Sequence, residues 1–294
     1  MMTKTKLLIA ALLFGVLLNS CSNDDDGPAV AIIELETIGL KALTGGTSYQ
    51  GWIIVNGQPV GTTKFTNPTG VVRLEVFASD LTSATQFILT VEPVGDIDNK
   101  PSDTKILTGN FNSNSAQLSF LPVVADLSDT SGQFFLATPT DNAGGVDNGN
   151  DEFGVWFMNG ATTPGLSLPT LSNGWKYEGW VDFGTQTLST GTFSNVSGVD
   201  DGNFFKGSGG TVPEFPGEDF LVLPTQVPIT GITLPAAVTS KRVFITVEPV
   251  GDGDPAPFFI EPLSAIAGIT TGSGNPITML SNTVVPSGIV KRPN

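Results

Sequence analysis

Tyr49-Gln50-Gly51-Trp52, followed further on by Thr90-Val91-Glu92-Pro93-Val94-Gly95-Asp96, is written a second time as Tyr177-Glu178-Gly179-Trp180 and Thr246-Val247-Glu248-Pro249-Val250-Gly251-Asp252. Seven consecutive identical residues behind the same aromatic pattern mark an internal duplication, and the duplication sets the architecture. Around it the chain is rich in Gly, Pro, Thr, Ser, Asn and Asp, with Val, Ile and Phe in short runs. Short β-branched and aromatic runs between turn residues predict an all-β protein.

Each copy carries the same strand logic. Tyr49, Gly51, Ile53 and Val55 share one face of a strand, and Gln50, Trp52 and Ile54 the other. In the second copy Tyr177, Gly179, Val181 and Phe183 oppose Glu178, Trp180 and Asp182. The tyrosine face is apolar in both copies and is the expected core side, which leaves each tryptophan on the opposite, more polar face. Asn56-Gly57 predicts a two-residue hairpin. Ala31 to Glu36 and Gly70 to Phe77 read as further strands, the latter with Val72, Leu74 and Val76 on one face. Pro93 and Pro249 remove a backbone donor and should end the Thr-Val-Glu strands, and Gly95-Asp96 and Gly251-Asp252 should turn the chain. Ile106-Leu107 and Ala116 to Val124 complete the first copy as strands, and Ala125 to Gly132 reads as a linker.

The tyrosines lie 128 residues apart (49 against 177) and the glutamates 156 apart (92 against 248), so the second copy carries 28 extra residues between its two signatures. The excess is expected near 198–235, which holds Phe204-Phe205 and a glycine run. Long loops of this kind are more often functional than bare connections. A second acidic loop runs from Asp141 to Glu152.

The start of the chain is a different kind of sequence. Lys4 and Lys6 precede an apolar run from Leu7 to Leu18, then Asn19, Ser20 and Cys21. A basic start, an apolar stretch too short to span a bilayer and a small residue before the cut describe a secretory signal over residues 1–20. Cys21 is the sole cysteine, so no disulfide partner exists for it. Asp24-Asp25-Asp26 lies in a polar tether over 21–29. The expected organisation is then a first domain over 30–130 and a second over 131–294.

Charge narrows the function. Without Lys4 and Lys6, 11 basic residues stand against 28 acidic ones, a net charge of −17. Such a surface argues against nucleic-acid binding. No histidine is present, which removes Ser-His-Asp and Cys-His catalysis and histidine metal sites together. Glu92 and Glu248 occupy equivalent places in different copies, so they are not expected to converge as a glycosidase pair; each should instead accept hydrogen bonds from the turn it introduces. Asp96, Asp98, Asp252 and Asp254 repeat a Gly-Asp-x-Asp pattern that can supply oxygens to Ca²⁺, although Asp is equally common in turns. No other cofactor is indicated. Trp52 and Trp180 can be read as a sugar platform or, from their sameness in both copies, as packing residues.

Two resemblances follow from these residues. Leu18 to Cys21 resembles a bacterial lipoprotein box, which implies cleavage before Cys21, lipidation of that cysteine and a membrane anchor that does not span the bilayer. The acidic run after it is similar to the export signal of surface lipoproteins of Bacteroidota, which implies the cell envelope and the outer membrane. Tyr-x-Gly-Trp followed by Thr-Val-Glu-Pro-x-Gly, over Tyr49 to Gly109 and Tyr177 to about Gly268, resembles the C-terminal extracytoplasmic domain of anti-sigma-K-type factors. That resemblance implies two tandem antiparallel immunoglobulin-like β-sandwich domains. Those regulators also carry a cytoplasmic helical domain and a transmembrane helix, neither of which is legible here. The expectation is a non-enzymatic envelope lipoprotein serving as a sensing or protein-interaction module, with an envelope protein as partner. A glycan-binding or adhesive surface protein is the second reading.

Overall fold

The computed structural model describes residues 28–224, 228–251 and 254–293. The signal segment, Cys21, most of the acidic tether and Asp252 lie outside the described residues. Strands take up 41% of the chain and helix 5%, in several antiparallel sheets, so the all-β expectation holds.

The first copy comprises β1 (Val30–Ile38), β2 (Ser48–Val55), β3 (Gln58–Phe65), β4 (Val71–Phe77), a short helix α1 (Ala78–Ser83), β5 (Ala84–Glu92), β6 (Lys105–Asn110) and β7 (Ser115–Ser119). The second begins with β8 (Ser131–Phe134), β9 (Gly154–Trp156), β10 (Met158–Asn159), β11 (Thr163–Pro164) and β12 (Leu166–Ser167). It continues with β13 (Trp175–Asp182), β14 (Thr187–Phe193), β15 (Gly217–Asp219), β16 (Arg242–Pro249), β17 (Leu263–Ile266), β18 (Ile277–Thr278) and β19 (Leu280–Ser281). The last strand is β20 (Ser287–Lys291).

The duplication builds the same sheet twice. Strand order is β3-β2-β5-β6 in the first copy and β14-β13-β16-β17 in the second. Tyr49 stands opposite Phe65 and Tyr177 opposite Phe193, in the same register. Asn56 and Gly57 both have positive φ, 51° and 78°, the backbone that a two-residue turn matched to strand twist requires. Val72, Leu74 and Val76 face inward from β4 as their alternation predicts. The run from Ala116 stops as a strand at Ser119, because Phe120 turns the chain by accepting from the N–H groups of Val123 and Val124.

The far layer of each copy is built differently. In the first copy β6 meets β7 at one pair, Thr108 with Ser119, where the sheet turns a corner into the layer β7-β20-β1-β4. In the second, β19 extends the sheet beyond β17, and β12-β8-β18, β15-β9 and β10-β11 supply the remaining strands. Both copies therefore have a sandwich-like arrangement, and one cluster of buried side chains from Ile33 to Val290 runs through both.

Two organisational expectations are corrected. The range 131–294 is not one unit, because β20 is inserted between β1 and β7 of the first copy, with Leu35 opposite Val290 and Val290 opposite Ala116. A five-residue strand lying between Pro286 and Pro293, β20 carries no local sign of a partner more than 150 residues upstream. The linker is also not loose: Ala125, Leu127 and Thr130 are buried, and β8 begins at Ser131.

The side chain of Val290 is fully buried. Val290→Asp places an unpaired charge in the first copy's far layer and should cost more than about 3 kcal/mol in urea unfolding, although the residue lies at the other end of the chain from that copy's motif.

Candidate functional site

The repeated motif proves to be a folding device. In both copies the tyrosine hydroxyl donates to a carbonyl eight residues upstream, Tyr49 to Lys41 at 2.9 Å and Tyr177 to Pro169 at 2.8 Å. Each tyrosine ring packs on its cross-strand phenylalanine, with centroids 5.4 Å and 5.7 Å apart. The glycine between Tyr and Trp makes room for a ring: a Cβ on Gly51 would lie 2.7 Å from Phe87, and one on Gly179 would lie 2.9 Å from Phe157.

The tryptophans are 0% and 2% exposed, so the face expected to be the more polar one is covered at these positions. Trp52 lies against Gly61 of β3, where a Cβ would come within 3.0 Å of the indole. The Trp52 indole N–H donates to Thr90 Oγ1 at 2.9 Å, and the Thr90 hydroxyl donates to Glu92 Oε1. Trp180 donates to Thr246 at 2.8 Å, and Thr246 to Glu248. Each carboxylate then accepts the backbone N–H of the residue ten positions on, Ser102 at 3.3 Å and Phe258 at 2.8 Å. The glutamates thus hold the loops they introduce, as their position before proline suggests. A sugar platform on either tryptophan is closed off by burial.

The strand ends do converge, which the sequence did not lead one to expect. Pro93 and Pro249 line one cavity of about 290 Å³ between the copies, with Thr47, Ser102 and Val250. The contact is reciprocal. Thr104 Oγ1 donates to Gly174 O at 3.1 Å and Trp175 Nε1 to Lys105 O at 3.1 Å, while Thr44 Oγ1 donates to Asp254 Oδ2 at 2.5 Å. Gly174 has a φ of 85°, and a Cβ there would stand 2.5 Å from the backbone of Asp103, so only glycine permits this approach.

Of the Gly-Asp-x-Asp carboxylates, Asp96, Asp98 and Asp254 are engaged by other groups of the protein. Asp96 pairs with Lys64 at 2.7 Å, and that cation holds its carboxyl below the usual range. Asp98 accepts from Lys100 N at 2.8 Å, and Asp254 from Ala256 N at 3.0 Å. No group of three or more acidic, cysteine or histidine side chains among the described residues is arranged to hold a metal ion.

Other carboxyls, not singled out from the sequence, form the least ordinary chemistry in the protein. Asp200, Glu218 and Asp219 are 7%, 0% and 0% exposed. Asp219 Oδ2 accepts from Thr140 N at 2.8 Å and from Thr140 Oγ1, and its Oδ1 accepts the Trp156 indole N–H at 2.7 Å. Glu218 accepts from Phe205 N at 3.2 Å, and Asp200 from Gly217 N at 2.8 Å and Gly202 N at 3.1 Å. Burial pushes Asp200 up to about 7, Glu218 to about 8 and Asp219 to about 6, with the N–H donors pulling the other way. The signal was present in Phe215-Pro216-Gly217-Glu218-Asp219-Phe220, two acids inside an apolar run. The excess residues of the second copy and its acidic loop, separate in sequence, meet here.

Thr90→Val should cost about 1–3 kcal/mol, since it removes the closer acceptor of the buried Trp52 indole, leaving Glu92 Oε1 at 3.3 Å, and takes a donor from Glu92. Thr246→Val should cost a similar amount, and Asp219→Ala more than either, as read by chemical unfolding. Among the described residues no helix is long and apolar enough to cross a membrane. Set against protein-family models, curated proteins and solved structures, the chain finds no match in any of the three.

Proposed function

We propose that the chain is a non-enzymatic envelope lipoprotein, anchored through Cys21, whose two anti-sigma-factor-like units form an extracytoplasmic sensing or protein-interaction module. The observation that supports the reading is the burial of the repeated motif. Tyr49, Trp52, Tyr177 and Trp180 are all inside, and Glu92 and Glu248 hold loops, so what the two copies share serves the fold. Recognition then belongs to what differs between them, the parts built around the second copy's excess residues and its acidic loop. The resemblance to the extracytoplasmic part of anti-sigma-K-type factors suggests a protein partner in the envelope. The immunoglobulin-like detail of the two units belongs to the same proposal.

The basic start, the apolar run and Cys21 support lipid anchoring at the outer membrane. Glycan binding is the lesser reading, since of the insertion's aromatic side chains Phe205 and Phe220 are buried, Phe215 is half-buried and Phe204 is 41% exposed.

Cys21→Ser should abolish palmitate labelling and move the protein from the membrane to the soluble fraction. Crosslinking in intact cells followed by purification should recover an envelope protein with the wild-type chain. A polysaccharide-array hit without any protein partner would overturn the interaction reading.

A further inference from the structure

A sheet edge carries a row of backbone N–H and C=O groups without partners, and folds blunt such edges with prolines, bulges, short strands or covering segments. Most edges of this protein are blunted. β3 holds Pro59 and a register shift opposite Gln50 to Trp52. β14 also has a shifted register, and the second copy's insertion reaches across it, where Asp201 N donates to Thr192 O at 2.8 Å. Among the described residues the other edge strands are two or three residues long. β4 is the exception. Seven residues long, with no proline, glycine or register shift, it pairs with β1 alone. It is not bonded to β3, and an open cavity of about 330 Å³ separates Val60 to Thr63 from Glu75 to Phe77.

The free edge has a definite chemistry. Ala78 N donates to Ala29 O at 2.8 Å, and hydrogen-bonded pairs alternate along an antiparallel ladder. Val72, Leu74 and Val76 therefore turn their peptide groups toward β1, while Val71, Arg73, Glu75 and Phe77 turn theirs outward. The side chains of those same four residues lie on the outer face, with Val71 51% and Phe77 47% exposed. Arg73 pairs with Glu34 at 2.8 Å, whereas none of the ion pairs among the described residues includes Glu75.

We propose that two copies of this chain associate through β4, paired antiparallel about a two-fold axis at Leu74. In that register Arg73 of each copy stands opposite Glu75 of the other, Val71 opposite Phe77, and Val72 opposite Val76. All four outward peptide groups find partners, the core-side residues stay on the core side, and each Glu75 gains a cation. Sliding the pairing by two residues sets Arg73 against Arg73 or Glu75 against Glu75, and sliding it by one puts core-side residues opposite outer ones. The sequence of β4 is thus complementary to itself in one register. An edge contact of this size is small, so the association is weak and depends on concentration. It requires neither the lipid anchor nor an envelope partner.

Sedimentation equilibrium tests the proposal on the mature chain carrying Cys21→Ser, in which no disulfide can link two copies. Between about 10 µM and about 1 mM the average mass should rise toward twice that of one chain. Arg73→Glu and Glu75→Arg, both at exposed positions, each set like charges opposite one another and should weaken association at least about tenfold. Mixed in equal amounts, the two variants bring opposite charges together again and should associate as the wild type does. A wild-type chain that stays monomeric at the upper concentration overturns the proposal, as does capture of another extended polypeptide along β4 without self-association. Single variants that pair as tightly as the wild type, or a mixture that stays monomeric, overturn it equally.

Discussion

A tryptophan side chain placed inside a protein must find an acceptor for its one N–H group, because leaving it without one costs about 1–3 kcal/mol. In this chain the acceptor is a threonine on the neighbouring strand, whose hydroxyl in turn donates a hydrogen bond to a glutamate two residues on. That single requirement fixes three things at once. It sets the pairing of β2 with β5 and of β13 with β16. It puts a carboxylate at the strand end, next to a proline. It also ties down the loop that follows, through Ser102 N in one copy and Phe258 N in the other.

The same device is written twice, and the copies meet through corresponding parts. Residues 104 and 105 of the first copy contact 174 and 175 of the second, while Asp254 of the second contacts Thr44 of the first. The offset of 128 relates 46 to 174, and that of 156 relates 98 to 254, so each copy offers its pre-motif turn to the other's post-motif loop. The arrangement has the reciprocity of a two-fold dimer contained in one polypeptide.

The parts of this fold that were legible in the sequence are those set by neighbours along the chain. An apolar run gave β1, alternation gave β2 and β4, Asn56-Gly57 gave the hairpin, and Pro93 gave the end of β5, whereas β16 runs on to include Pro249. Burial of Trp52 was not legible, since it depends on Gly61 lying beneath the ring on another strand. The place of β20 was hidden for a similar reason: a five-residue strand has no periodicity long enough to name its partner, and its partners are remote. Asp200, Glu218 and Asp219 escaped because desolvation is a property of the assembled environment. Their position inside a phenylalanine-flanked run was visible, but not that three separated acids would share one interior.

The return of the chain through β20 bears on the order in which the molecule can become complete. A polypeptide emerging from its N-terminus presents β1 to β7 long before Ser287 to Lys291 are available. Until then β1 and β4 can pair only with each other, and the far layer of the first copy has a gap between β1 and β7. The second copy has all its strands before β20 arrives. The far layer of the first copy can therefore be completed only after the second copy has been synthesised, by pairings such as Glu34 with Lys291.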